Sequence, residues 1–215
     1  MSIKTITDST GVKKTTRIQA ENRQRILDAA LEVFAAHGFR GSTVDQIAAT
    51  AGMSKANILY YFRRKQDMYV AVLTKTIEDW LTPLETLNPA GNPQEELWRY
   101  ASAKLQMSRD APDESKLFAN EVISGAPMIG SYLQNELRPL VAHKCTIIQR
   151  WIDRGLLAPI EPLHLIFFIW STTQHYADFM PQIEVLHEHS PDKLFSDAER
   201  TLKQLLITGL QPTVR

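Results

Sequence analysis

Residues 38–65 read GFRGSTVDQIAATAGMSKANILYYFRRK. Ser42 or Thr43 can cap a helix that runs to about Thr50. Val44, Ile47 and Ala48 fall at i, i+3 and i+4, which gives that helix an inward face. Ala51-Gly52-Met53 then makes a tight turn, and Ser54 caps a second short helix, Lys55 to Phe62, with Ile58 and Leu59 to pack. Two short helices joined by a glycine-containing turn read as a helix-turn-helix. In its DNA-binding form the second helix enters the major groove and shows its N-terminal residues to base edges.

The side chains in that position suit such a role. Lys55 can donate to guanine O6 or N7, and Asn57 can pair bidentately with adenine N6 and N7. Ala56 is small enough for close approach, and Ser54 opens the helix beside it. Thr43 and the Tyr60 and Tyr61 hydroxyls can reach phosphate, with Tyr60 also near base edges. Lys65 opens the following helix, where its ammonium and the free backbone N–H groups could hold another phosphate. The plainer reading is a helical hairpin with a polar surface. Charge distribution favours DNA. The 215 residues carry 24 basic and 24 acidic side chains, a net charge of zero that, taken as one sum, argues against nucleic acid. Residues 1–65, however, hold 11 bases against 5 acids, a net +6, and the remainder carries −6.

Upstream, Ile26, Ala30 and Phe34 recur at i, i+4 and i+8, and predict a helix from about Gln19 to His37 that Gly38 ends. Residues 1–18 form a polar basic arm in which Lys13, Lys14 and Arg17 are candidate phosphate contacts. Downstream, a helix from near Lys65 to about Leu84 has Tyr69, Val72, Leu73, Thr76, Ile77 and Trp80 on its apolar side. Further helices are expected at about 93–109, 113–124, 130–154, 162–180 and 192–209, with Pro139 kinking or splitting the third of these. The fold class is therefore all-α, about nine helices: an arm (1–18), a three-helix helix-turn-helix domain (19–65) and a helical bundle (66–215).

Composition removes several alternatives. Apolar residues at 44% and charged residues at 22% are ordinary globular values, which excludes wholesale disorder. One cysteine, Cys145, allows no intramolecular disulfide and suits a reducing compartment; its apolar-periodic setting suggests an inert thiol. No secretory signal opens the chain, and the most apolar run, Leu163 to Trp170, falls well short of the roughly 20 residues a membrane span needs. A cytoplasmic protein is the expectation. His187, Glu188 and His189 have no further ligands nearby, so a solvated loop is preferred to a metal site. There is no Gly-rich phosphate loop and no paired carboxylate motif, so the chain does not read as an enzyme, and no cofactor is implied.

Residues 20–70 resemble the TetR family of bacterial regulators. The likeness rests on Phe34-Ala35-Ala36-His37-Gly38-Phe39, Thr43-Val44-Asp45-Gln46-Ile47-Ala48, Ala51-Gly52-Met53-Ser54-Lys55, Tyr60-Tyr61-Phe62 and Lys65. Leu59 stands where many members have Tyr, and Asp45 where some have a basic residue. The stretches 54–62, 108–118, 125–127 and 157–184 are similar to a branch of the family that regulates pyrimidine utilisation. That resemblance implies a homodimer on a palindromic operator, with uracil or thymine in the body weakening DNA binding. The helices at 162–180 and 192–209 would form the dimer interface; as an alternative they are core helices of a monomer. Trp170 and Gln174 share a helical face, so an indole plane lies beside a carboxamide that can pair with a planar imide. Trp80 could add a second aromatic wall and Glu121 an acceptor for a ring N–H. The bland alternatives are core packing for the aromatics and a surface ion pair for Glu121.

Overall fold

The computed structural model describes residues 17–188 and 190–212. Lys13 and Lys14 of the arm, and His189, lie outside the described residues. Helix α1, Arg17–Gly41, buries Ile26, Leu27, Ala30, Val33 and Phe34 on one face. Gly38 (φ 67°, ψ 173°) interrupts it where the sequence predicts an end, in a conformation essentially reserved for glycine, and one more turn reaches Gly41. The helix-turn-helix follows as α2, Val44–Ala51, and α3, Lys55–Tyr61. Ile26, Phe34, Ile47 and Ile58 are each fully buried. At about 1.5–3 kcal/mol per buried side chain, they anchor these three helices in a core that continues into the body.

Helix α4, Lys65–Glu85, packs against α1 on one side and against the body helices α5, Pro93–Asp110, and α6, Pro112–Ile123, on the other. The next element, α7, begins at Gly130–Tyr132, widens through a π turn at Leu133–Leu137 and continues as Arg138–Asp153. The expected break at Pro139 is thus absorbed without a split. Pro139 sits in the first turn after the wide one, where a missing N–H and the ring's bulk are tolerated. Helix α8, Pro162–Asp178, lies on α5, α6 and α7, and α10, Pro191–Gly209, lies on α5.

Between them is a helix absent from the sequence expectation, α9, Met180–Leu186. In the sequence Pro181 reads as a break, but a proline in a first turn is compatible with a helix start. The described residues thus form ten helices rather than about nine, with no strand. None of these helices is long and apolar enough to cross a membrane.

Candidate functional site

The exposed face of α3 carries Lys55, Ala56, Asn57, Leu59 and Tyr60, while Ile58 anchors the helix in the core. Ser54 Oγ accepts from the Asn57 backbone N–H at 3.2 Å, and Thr43 Oγ1 from the Gln46 N–H at 3.2 Å, with Gln46 Oε1 returning to the Thr43 N–H at 2.8 Å. Thr43 rather than Ser42 is therefore the cap of α2. Ser42 is buried and donates to the Val33 and Gly38 carbonyls. Gly52 ends α2 in a left-handed conformation (φ 61°), and its N–H donates to Ala48 and Ala49 carbonyls. The turn that sets the angle between the two helices thus depends on that glycine.

Several candidate contacts have partners of their own. Lys55 Nζ lies 2.9 Å from Asp45 Oδ2 across the turn. Tyr61 is half-buried and its hydroxyl accepts from Asn22 Nδ2, whereas Tyr60 is 71% exposed. Arg17 pairs with Glu21 at 2.7 Å. Lys65 departs most from the sequence reading. Its ammonium turns inward, donates to the Phe39 and Ser42 carbonyls at 2.5 and 2.6 Å, and lies 4.5 Å from the centroid of the Phe39 ring. The ammonium thus ties the end of α1 to the start of α4. At the start of α4 the Arg64 N–H donates to Asp67 Oδ2 at 3.1 Å, and the Arg64 guanidinium pairs with the same carboxylate at 3.0 Å.

In the body, three of the four residues picked out for ligand recognition meet. Trp80 (α4), Trp170 and Gln174 (α8) line one cavity together with Tyr100 and Lys104 (α5) and Phe118 (α6). Its volume is about 40 Å³. Trp80 Nε1 is buried and has no hydrogen-bond partner among the described residues. Trp170 Nε1 donates to the Tyr100 hydroxyl, which burial keeps protonated by pushing its pKa up. Lys104 is 4% exposed, with Nζ 4.1 Å from the centroid of the Trp80 ring. Burial drives its pKa down to about 7, only partly opposed by the Asp178 carboxylate. Ser115 Oγ donates to Asp178 at 2.5 Å.

Lys104 was not among the sequence candidates, although a signal was there. Leu97, Tyr100, Ala101, Leu105 and Ser108 mark the buried stripe of α5, and position 104 lies on it. Glu121, the fourth candidate, is not in this cavity. It is buried near the three-helix unit, neither a ring acceptor here nor a surface ion pair, and it accepts from the Tyr69 hydroxyl and the Met128 N–H. Cys145 is half-buried, and burial raises its thiol pKa. Among the described residues no three side chains are grouped to hold a metal.

Residues 26–72 match the family model "Bacterial regulatory proteins, tetR family", and residues 73–213 match "YcdC-like protein, C-terminal region". The chain is 39% identical over 201 residues to the HTH-type transcriptional regulator RutR of Escherichia coli strain K12, covering 93% of this chain and 95% of that protein. This chain belongs to the TetR family. Its TetR-family fold is shared with the putative transcriptional regulator SCO4942 from Streptomyces coelicolor (TM-score 0.72, 24% identity, 89% of this chain and 99% of that one). It is shared too with AibR, solved with isovaleryl coenzyme A and operator DNA (TM-score 0.66, 14% identity, 86% and 98%). The two family models meet inside α4, so this TetR-family member runs one continuous helix from its DNA-binding unit into its C-terminal region. It is a helix-turn-helix DNA-binding transcriptional regulator, and its relatives are regulators rather than enzymes.

Proposed function

We propose that this protein is a pyrimidine-responsive regulator that binds a palindromic operator as a homodimer and is released by uracil or thymine. The observation that carries the effector reading is the convergence of Trp80, Trp170, Gln174 and Lys104 on one cavity. A pyrimidinedione offers two carbonyl acceptors and ring N–H donors on a flat aromatic frame. Trp80 Nε1 and Lys104 supply donors for the carbonyls. The Gln174 amide complements an adjacent N–H and C=O, and the indole of Trp170 supplies a plane. Similarity to RutR over most of both chains points the same way.

The cavity volume bears on mechanism. About 40 Å³ is far below the roughly 300–1,000 Å³ of drug-sized ligand pockets. A pyrimidine must displace side chains to enter, so its binding favours a different packing of α4, α5, α6 and α8. The ligand shifts the head only through its differential affinity for the two packings.

On the DNA side, Lys55, Asn57 and Tyr60 read bases from Ser54 and Ala56 onward. Thr43, Tyr61, Arg17 and Lys14 hold phosphates, together with the N-terminus of α4 at Lys65. A second copy covers the apolar residues that one chain leaves exposed on α8 and α10, notably Leu163, Phe167, Phe168 and Leu205. Isothermal titration with uracil, thymine and cytosine tests the effector reading. Saturable binding of uracil or thymine is expected, and no heat from either at millimolar concentration contradicts it.

A further inference from the structure

Helix α6 touches two places that matter. Phe118 lines the effector cavity and stands edge-on to Trp80, with ring centroids 5.5 Å apart. One turn later Glu121 lines a cleft of about 840 Å³ between α6 and the end of α1. Glu121 is 4% exposed, and its carboxylate is shared between two donors. Oε2 accepts from the Tyr69 hydroxyl of α4 at 3.2 Å, and Oε1 from the Met128 N–H at 2.6 Å. The Tyr69 ring stands edge-on to Phe34 at 5.0 Å and against Phe39 at 4.9 Å, both in α1. Phe39 in turn lies under the Lys65 ammonium and provides one of its carbonyl acceptors.

The turn after α6 is held to the same residue. Ala126 (φ 53°) is the one non-glycine with left-handed backbone among the described residues. Such a conformation persists where its surroundings over-determine it. Here the Ala126 N–H donates to the Glu121 carbonyl at 2.9 Å, and the Met128 N–H to the Glu121 carboxylate. Glu121 therefore holds the strained turn through its backbone carbonyl and its carboxylate, and the carboxylate also grips the helix shared by head and body.

We infer that Glu121 and Tyr69 are the positioning pair that sets the attitude of the DNA-binding head on the body, and that the effector acts on the head through them. The second half of this inference rests on the effector reading above; the first half does not. Displacing Phe118 moves α6, and a bond of 3.2 Å is lost with a shift of about half an ångström. The head is then held by α4 itself and by the remaining packing of α1 and α4 on α6, without the hydrogen bond that fixes Tyr69, and takes a wider range of attitudes. With the pair intact the head stays at the spacing the operator requires.

The test uses the full chain with Cys145→Ser, spin labels at the exposed positions Ala49 (α2) and Gln106 (α5), and dilution with unlabelled chain. Pulsed EPR then reads the head-to-body distance. Tyr69→Phe keeps the ring and removes the hydroxyl, and should broaden the distribution. Glu121→Ala should broaden it as well, and the double variant no further. Glu121→Gln should restore the parent width, because its carbonyl can accept from Met128 while its amide donates to the Tyr69 oxygen. If Glu121→Ala fails to fold, Tyr69→Phe decides alone. An unchanged width in Tyr69→Phe, or an additive double variant, overturns the positioning role. With uracil the parent should broaden towards the Tyr69→Phe distribution, and operator release should weaken about tenfold in the variant. Broadening in Tyr69→Phe together with a parent that ignores uracil supports the pair and refutes the effector reading. An equal uracil response in parent and variant refutes the coupling.

Discussion

Lys104→Met replaces a buried amine by an apolar chain of similar length beside Trp80, and the structure gives the sign of its effect on stability. In the folded protein the Lys104 pKa falls from 10.5 to about 7. Between those values the unfolded chain carries a proton there that the folded chain lacks, so stability rises with pH through that window. Below about pH 7 the ammonium is charged and buried, and its cost is greatest. At about 1.4 kcal/mol per unit, raising the pH from 7 to 8.5 should stabilise the parent by roughly 2 kcal/mol relative to Lys104→Met. Remaining below pH 9 avoids Tyr69 and Tyr100, whose pKa values are both pushed upward. Urea unfolding of parent and variant at the two pH values measures the difference directly. A pyrimidine carbonyl facing Nζ favours the charged form, so uracil should bind with proton uptake above pH 7, visible as a buffer-dependent heat. Parallel pH dependence in parent and variant would refute the burial argument. Full uracil affinity in Lys104→Met would remove the amine from recognition.

Three further outcomes concern the head. Gly52→Ala forces a side chain into a left-handed residue and places its Cβ 2.6 Å from Arg25 Nη2, so unfolding should be easier by about 1–2 kcal/mol, read as a lower melting temperature. Asn57→Ala should relax base preference at one position per half-site by about 1–3 kcal/mol, measured by competition among operator variants; unchanged selectivity would remove Asn57 from the readout. Lys65→Met should lower the melting temperature through loss of the Phe39 and Ser42 carbonyl bonds, and leave the slope of log affinity against log salt close to that of the parent. A slope reduced by about 1 per subunit would instead show that Lys65 turns outward to a phosphate.

The helix-turn-helix was legible because its signals are local. Thr43 and Ser54 cap within three residues, Gly52 turns within one, and Val44, Ile47 and Ala48 fall at helical spacing within α2. The pairing of Trp170 with Gln174 was likewise visible as one helical face, and Trp80 joined it through the apolar side of α4. What failed to show depends on which helix faces which. Lys104 and Glu121 sit at inward positions of α5 and α6, yet a lone charged residue in an amphipathic helix ordinarily reads as solvent-facing. Lys65 begins a helix, and only the folded end of α1 reveals the carbonyls that draw its ammonium inward. Helix α9 was hidden by Pro181, which is as compatible with a first turn as with a break.

The central claim is that the cavity between α4, α5, α6 and α8 governs the hold of α3 on DNA. The most direct measurement is fluorescence anisotropy of the protein on a labelled operator, recovered by selection from random duplexes, while uracil is titrated in. The account predicts release of the operator as uracil saturates, with the Trp170→Ala protein remaining bound. An operator complex that stays intact at millimolar uracil, and behaves identically in the parent and in Trp170→Ala, would contradict it.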